Sequence, residues 1–255
     1  MKILTAIAAP VVFIGLMLGV WEAACRLLEV PSYFLPTPSA IGGALAQNFP
    51  LLASSGWNTL ATALWALLTA SILASLLALG AGLSGIVERA IQPVVVTLQV
   101  TPVIAIAPLV TIWAGLEHPE RAVIGLAAVV AFFPIFSGAL TGLKAVDPDL
   151  ERLFDLYGAT RWQKLTRLRL PTAVPFLLEG HKVAAGLAVV GAVVAEFGAG
   201  SGGSQGLAWR ILEASNRLQT AKAFAALFVL AVMGAGLYAI LQVAERRALV
   251  WWRGR

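Results

Sequence analysis

The sequence predicts an all-α integral membrane protein with six transmembrane helices and a cytoplasmic helix-turn-helix between spans four and five. Composition is the first ground. Of the 255 residues 59% are hydrophobic and 12% charged, and the mean hydropathy is +0.86, values that exclude a disordered chain and place it in the membrane class. The second ground is the spacing of charge. Several runs without Asp, Glu, Lys or Arg exceed the roughly 20 residues that cross a bilayer, and charged residues fall in clusters between them. The third is a single long, strongly charged segment, DPDLERLFDLYGATRWQKLTRLRLP at 147–171, standing in this apolar background.

Taken in order, residues 4–28 form the first span. The apolar stretch after Lys2 exceeds the hydrophobic core of a signal peptide, and no small-x-small cleavage site ends it, so it is expected to be retained. Pro31, Pro36 and Pro38 then fix an extended linker that no helix crosses. Residues 40–53 read as a short interfacial helix. Residues 57–83 carry no charge and make the second span. Glu88 and Arg89 mark a tight loop before the third, 91–116. Residues 117–121 turn the chain into the fourth, 122–143. The fifth, 173–197, has Glu179, His181 and Lys182 in its first half, which therefore stands at the headgroups or in the cytoplasm. Residues 198–218 are polar and glycine-rich and read as an outer loop, and 223–244 is the sixth span. Trp251 and Trp252 beside the last arginines suit a membrane interface. With no internal repeat and no soluble segment, 1–255 reads as one transmembrane domain.

The charged segment has its own logic. Asp147 caps a helix whose first residue is Pro148, where the missing N–H costs nothing. Leu150, Leu153, Phe154 and Tyr157 follow at i, i+3, i+4 and i+7, an apolar face opposite the acids. Gly158 stands where a left-handed residue ends a helix. Thr160 and Gln163 form a capping box that restarts one at once. That second helix carries Trp162, Leu165 and Leu168 beside Arg161, Lys164 and Arg167, and Pro171 is expected to close it. A DNA-reading helix-turn-helix is disfavoured, because the segment is wedged between spans and its basic set is small.

Basic residues also set the orientation. With the N-terminus inside, the cytoplasmic side receives 13 of the 18 Lys and Arg residues, so both termini and the 147–171 loop are expected in the cytoplasm. The net charge of +5 is thus a topology signal and predicts no nucleic-acid partner. One cysteine, Cys25, excludes an intramolecular disulfide, and two histidines, His118 and His181, make no metal centre.

Much chemistry is missing. No G-x4-G-K-[ST] occurs, so nucleotide phosphates have no P-loop here. Gly198, Gly200 and Gly203 match G-x-G-x-x-G, but they follow a membrane span and not a strand. No nucleophile-base pair, carboxylate pair or metal cluster can be assembled, and neither catalytic residues nor a cofactor are expected. Pathway candidates remain. Pro102 and Pro108 in the third span and Pro134 in the fourth free carbonyls that must face protein or water. With Gln99, Thr101 and Thr111 they make the third span the leading pathway helix. Glu196, an acid at the outer end of span five, is functional by default, the alternative being an acid solvated near the interface. Gly138 and Gly142 form a small-xxx-small pair that lets another helix approach.

The spacing of Gly158, Leu168, Leu170 and Pro171 resembles the G-x9-I-x-L-P half of the EAA loop of ABC importer permeases. GATRW, RLRLPTAVPFLL, PSYFLPTPSAI and VVAEF are similar to the sulfonate/taurine/nitrate branch of that family, so the resemblance runs along nearly the whole chain. It implies a permease subunit, itself no enzyme, in the bacterial inner membrane. A homodimer of two permease copies would work with two copies of a separate ATP-binding subunit and a periplasmic or surface solute-binding protein. By the same resemblance, Glu151, Arg152, Asp155, Gly158, Ala159, Thr160, Arg161, Leu168, Leu170 and Pro171 belong to the loop that docks on the ATPase, and the solute is a sulfonate, taurine, nitrate or a pyrimidine precursor. The chain departs from the pattern where Glu-Ala-Ala should begin six residues before Gly158: Arg152, Leu153 and Phe154 stand there. Glu151 lies one place early, and Asp155 is the substitute acid on the same surface. An ion-coupled secondary transporter is the alternative; it needs ion or proton sites, and Glu196 alone is a candidate within the spans.

Overall fold

A computed structural model describes residues 2–115, 117–199 and 205–253, with side chains over 8–115, 117–198 and 205–250. The described residues fold into helices α1 (Lys2–Leu27), α2 (Pro38–Leu83), α3 (Gly85–Val100), α4 (Val103–Ala114), α5 (Pro119–Lys144), α6 (Pro148–Leu156), α7 (Arg161–Lys164), α8 (Leu170–Ala199), α9 (Leu207–Asn216) and α10 (Thr220–Arg253). A π-helical stretch, Leu165–Arg169, joins α7 to α8. Five helical stretches are long and apolar enough to cross a membrane, and the bent α3–α4 pair makes a sixth if it counts as one span.

Several expectations change, among them the tight loop at Glu88 and Arg89, which lie in the first turns of α3. Residues 40–53 are no separate helix: α2 runs 46 residues through Pro50, because no charge or glycine-proline break interrupts it. The linker before it is not extended throughout, since Phe34 and Leu35 both donate to the Pro31 carbonyl and make a turn. The third span is broken at Thr101–Pro102 by a bend of 104°. Proline forces the residue before it out of the helical region, and Thr101 is extended (φ −71°, ψ 124°) with its N–H returned to the Thr97 carbonyl. The expected end of that span, Leu116, lies outside the described residues. Finally, residues 198–218 contain α9, and Gly200 and Gly203 of the glycine pattern lie outside the described residues. Gly198 lies inside the last turn of α8 (Leu170–Ala199), so a helix and not a strand precedes it.

The chain divides into two compact units. One comprises Met1–Trp57 and Gln205–Ala231. Glu22 accepts from the Ser39 backbone N–H at 3.0 Å and its hydroxyl at 2.7 Å, satisfying a first-turn donor of α2 where a negative charge is favoured. Arg210 on α9 donates to the Ser55 hydroxyl at 3.0 Å and pairs with Glu213, and Thr220 donates to the Tyr33 carbonyl at 2.7 Å.

The other unit comprises Asn58–Ser204 and Val232–Arg255, and its centre is the α5–α8 pair. A Cβ on Gly138 would stand 2.7 Å from the Phe176 carbonyl oxygen, on Gly142 2.7 Å from the Ala173 Cα, and on Gly180 2.6 Å from the Pro134 carbonyl oxygen. Only glycine permits that approach, and close backbones replace the hydrophobic drive that helices lack in lipid. Ala184, Ala185, Ala188, Ala192 and Ala195 on α8 are fully buried, so much of the buried face of α8 is built of small residues.

Candidate functional site

The 147–171 segment folds as the caps dictate. The Asp147 side chain accepts from the Asp149 N–H at 2.9 Å and starts α6 on Pro148. At the other end Gly158 has φ +66°. Its N–H reaches the Asp155 carbonyl, and the Ala159 N–H reaches the Phe154 carbonyl, each at 2.9 Å. This is the paired bonding of a Schellman motif, which needs the left-handed residue. Thr160 and Gln163 then bond reciprocally as a capping box at 3.2 and 2.8 Å, and α7 begins.

Pro171 does not close this helix. The Leu170 N–H bonds five residues back to the Leu165 carbonyl, and the widened turn carries the chain into α8 without demanding the N–H that proline lacks. The family-pattern residues here point inward: Leu168 is 7% exposed, and Leu165 packs with Leu143 and Ala173, flanked by Leu79 and Leu170.

The acids are engaged within the chain. Asp155 pairs with Lys164 across the turn. Glu151 pairs with Arg169 at 2.5 Å. Arg152 bonds Asp149 at 3.1 Å, both largely exposed, a contact worth little in water. The outward surface includes Arg152, Thr160, Arg161 and Arg167, and of its exposed apolar side chains the most open are Leu156 and Tyr157, each 84% exposed, and Trp162, 69% exposed. The helix pattern had assigned Tyr157 to the apolar face and missed that Leu156, beside the glycine turn, projects with it. Two adjacent large apolar residues just before the glycine at a helix terminus were the available signal.

The pathway candidates separate. Glu196 is 3% exposed, not solvated at an interface, and it accepts a 2.8 Å hydrogen bond from Thr59 on α2. The Thr101 and Thr111 hydroxyls donate to Thr97 and Ala107 carbonyls of their own helices at 2.7 and 2.9 Å. Gln99 and Pro102 are exposed. A groove of about 430 Å³ between α5 and α8 collects Ser137 and Thr141, which carried no signal in the sequence, together with Glu179, between Phe133 and Phe176. Among the described residues no cluster of three or more metal-ligating side chains occurs.

The sequence signature of binding-protein-dependent transport system inner membrane components matches residues 70–250. The formylaminopyrimidine transport permease protein of Halalkalibacterium halodurans is 31% identical over 246 residues, 95% of each chain. The putative aliphatic sulfonates transport permease protein of Bacillus subtilis is 28% identical over 241 residues, 93% of this chain and 85% of that one. A crystal structure of an amino acid ABC transporter with histidines superposes with a TM-score of 0.63 over 80% of this chain and 96% of that one, at 18% identity. At that identity the likeness concerns the fold.

Proposed function

The chain belongs to the family of binding-protein-dependent transport system inner membrane components, the permeases of ABC importers, and from that membership we propose how it works. It is the solute-conducting subunit of an ATP-driven importer in the bacterial inner membrane, with both termini in the cytoplasm. Hydrolysis belongs to a separate ATP-binding subunit, two copies of which serve a homodimer of this chain; a C2 pair presents two equivalent docking loops. A periplasmic or surface binding protein delivers the solute. Its class is a small sulfonate, taurine, nitrate or a pyrimidine precursor, the range spanned by the motif resemblance and by relatives named for formylaminopyrimidine and aliphatic sulfonates.

The observation that carries the reading is the α6–Gly158–α7 unit. Its fold is fixed by caps at both ends, and it holds Leu156, Tyr157 and Trp162 out in the open. Exposed aromatic and aliphatic anchors beside arginines are what a partner groove takes up. Coupling then needs only that the two states of the permease differ in their affinity for the closed ATPase pair. The solute path is proposed along Gln99, Thr101, Pro102 and Thr111 of the bent α3–α4 pair and past Glu196, with the Ser137–Thr141–Glu179 groove as its polar extension.

The test is reconstitution. Tagged chain is purified with the ATP-binding subunit it retains, placed in liposomes with its binding protein, and assayed with a panel of labelled solutes. Uptake that requires ATP and stops with a Gly158→Val chain is expected. Uphill uptake on an ion gradient alone, with no nucleotide and no companion protein, would overturn it in favour of a secondary transporter.

A further inference from the structure

We infer that Arg169 is a positioning residue: a strut that ties the proposed docking helix α6 to the C-terminal end of α2. Displacement of α6 is then passed sideways into α2 as well as along the chain into α8. The inference deepens the proposed coupling role of this loop and rests on it.

The guanidinium spends its two ends on different helices. One nitrogen donates to Glu151 Oε1 at 2.5 Å, in the first turn of α6. Another donates to the Gly82 carbonyl at 3.1 Å. Gly82 is the penultimate residue of α2, so its carbonyl is one of those that the helix itself leaves unbonded, at the end where a cation is favoured. Both charged side chains are about a third exposed, 30% and 32%. A planar fork suits this bridge, and an ammonium, a single point donor, does not reproduce it.

The π turn aims the strut. Leu165–Arg169 holds one residue more per turn than an α-helix, and removing that residue would rotate position 169 by about 100° about the axis. Beneath the guanidinium the joint is packed solid. Leu143, Leu165 and Ala173 are 4%, 4% and 1% exposed, with Leu79 of α2 against them. A Cβ on Gly82 would come within 2.8 Å of Leu143 Cδ1. The end of α2 therefore has a fixed seat against α5, the π turn and α8, and Arg169 adds a charged link from that seat to α6.

This also accounts for the displaced acid of the loop. Glu151, one place early relative to the family pattern, is turned to its own chain and serves as the strut's anchor.

The test reads motion at both ends of the strut in the complete transporter, in a background with Cys25→Ala. Leu83→Cys reports the end of α2, and Ala145→Cys reports the α5–α6 connection; both native side chains are exposed. Maleimide labelling rates are compared without nucleotide and with ATP plus vanadate, in chains carrying Arg169, Arg169→Met or Arg169→Lys. With Arg169 both positions should change rate at least threefold on trapping. With Arg169→Met the Ala145→Cys response should persist while the Leu83→Cys response falls below 1.5-fold, and Arg169→Lys should lie between. An undiminished Leu83→Cys response in Arg169→Met overturns the strut, as does loss of assembly in both Arg169 variants, which makes the residue a fold determinant only. No response at either position with Arg169 present is a different failure: it removes the coupling role of the loop itself.

Discussion

Thr59 on α2 donates a 2.8 Å hydrogen bond to the Glu196 carboxylate on α8, 137 positions away in sequence, and both side chains are buried. A carboxylate inside apolar packing persists only where donors meet it, so this bond helps fix which faces of α2 and α8 meet. Bonds to charged acceptors contribute about 1.5–3 kcal/mol in water-soluble proteins, while polar pairs between membrane helices average nearer 0.6. Thr59→Val should therefore cost about 1 kcal/mol and lower the melting temperature in detergent by a few degrees, and Glu196→Leu should cost more. Melting of Thr59→Val at the wild-type temperature would mean that the bond is replaceable.

Gly158 has φ +66° with nothing within 4 Å of a Cβ placed on it, so any penalty there is conformational and not a clash. A left-handed β-branched residue costs about 1–2 kcal/mol, enough to release the Schellman bonds. Gly158→Val is expected to insert and express normally and to lose ATP-driven uptake by tenfold or more. Gly158→Asn, which tolerates this region, should stay within about threefold of wild type. Equal uptake by the Val and Asn variants would separate the turn from coupling.

Local rules made much of this legible, and non-local ones hid the rest. Asp147, Gly158, Thr160 and Gln163 act within a few residues of themselves, and each caps or turns as its type dictates. Gly138 and Gly142 were readable as a close-approach pair, but their partners Phe176 and Ala173 lie on another helix and leave no mark nearby. Pro102 signalled freed carbonyls in the third span; the bend there follows from Thr101 taking an extended conformation before it. Pro171 misled in the other direction, because a π turn absorbs it, and no short pattern announces that. The partner of Glu196 was out of reach, since threonines are common in these spans and only packing selects Thr59.

The α5–α8 seam makes a size-specific prediction. A methyl on Gly180 would meet the Pro134 carbonyl oxygen at 2.6 Å and the Ile135 Cα at 3.4 Å, backbone atoms that cannot turn aside. Gly186, on the same helix, has nothing within 4 Å. Gly180→Ala should lower stability by at least about 2 kcal/mol, within the range for overpacked cores. Gly186→Ala should be neutral or slightly stabilising through helix propensity. Unfolding in detergent measures both, and comparable behaviour of the two would remove the close seam.

Glu213 on α9 gives a pH dependence. Hydrogen bonding from Arg210 holds its carboxyl below the ordinary value of 4.5, against desolvation that pushes it up, with Arg217 and Lys222 adding favourable charge. A depressed folded-state value means stability that is present above about pH 4.5 and lost as pH falls through the folded value. Wild-type melting temperature should drop between pH 5 and pH 3 by more than that of Glu213→Gln, which has no proton to gain there. Parallel profiles for the two would show that the pair carries no linkage.

Lys182 on α8 bonds Glu245 on α10 at 3.0 Å and also pairs with Glu179. The two carboxylates differ in what they can do without it. Glu179 is 55% exposed and can turn to solvent, whereas Glu245 is 13% exposed, like Lys182 itself, and cannot. Lys182→Met should therefore destabilise chiefly through the stranded Glu245 charge, read as a lower melting temperature in detergent. Adding Glu245→Gln should restore most of that loss, because the stranded charge is gone and Glu179 remains solvated. The cycle of two single variants and the double variant isolates the coupling. If the second substitution fails to rescue the first, Lys182 acts through Glu179 or through its packed stem, and the α8–α10 ion pair contributes nothing of its own.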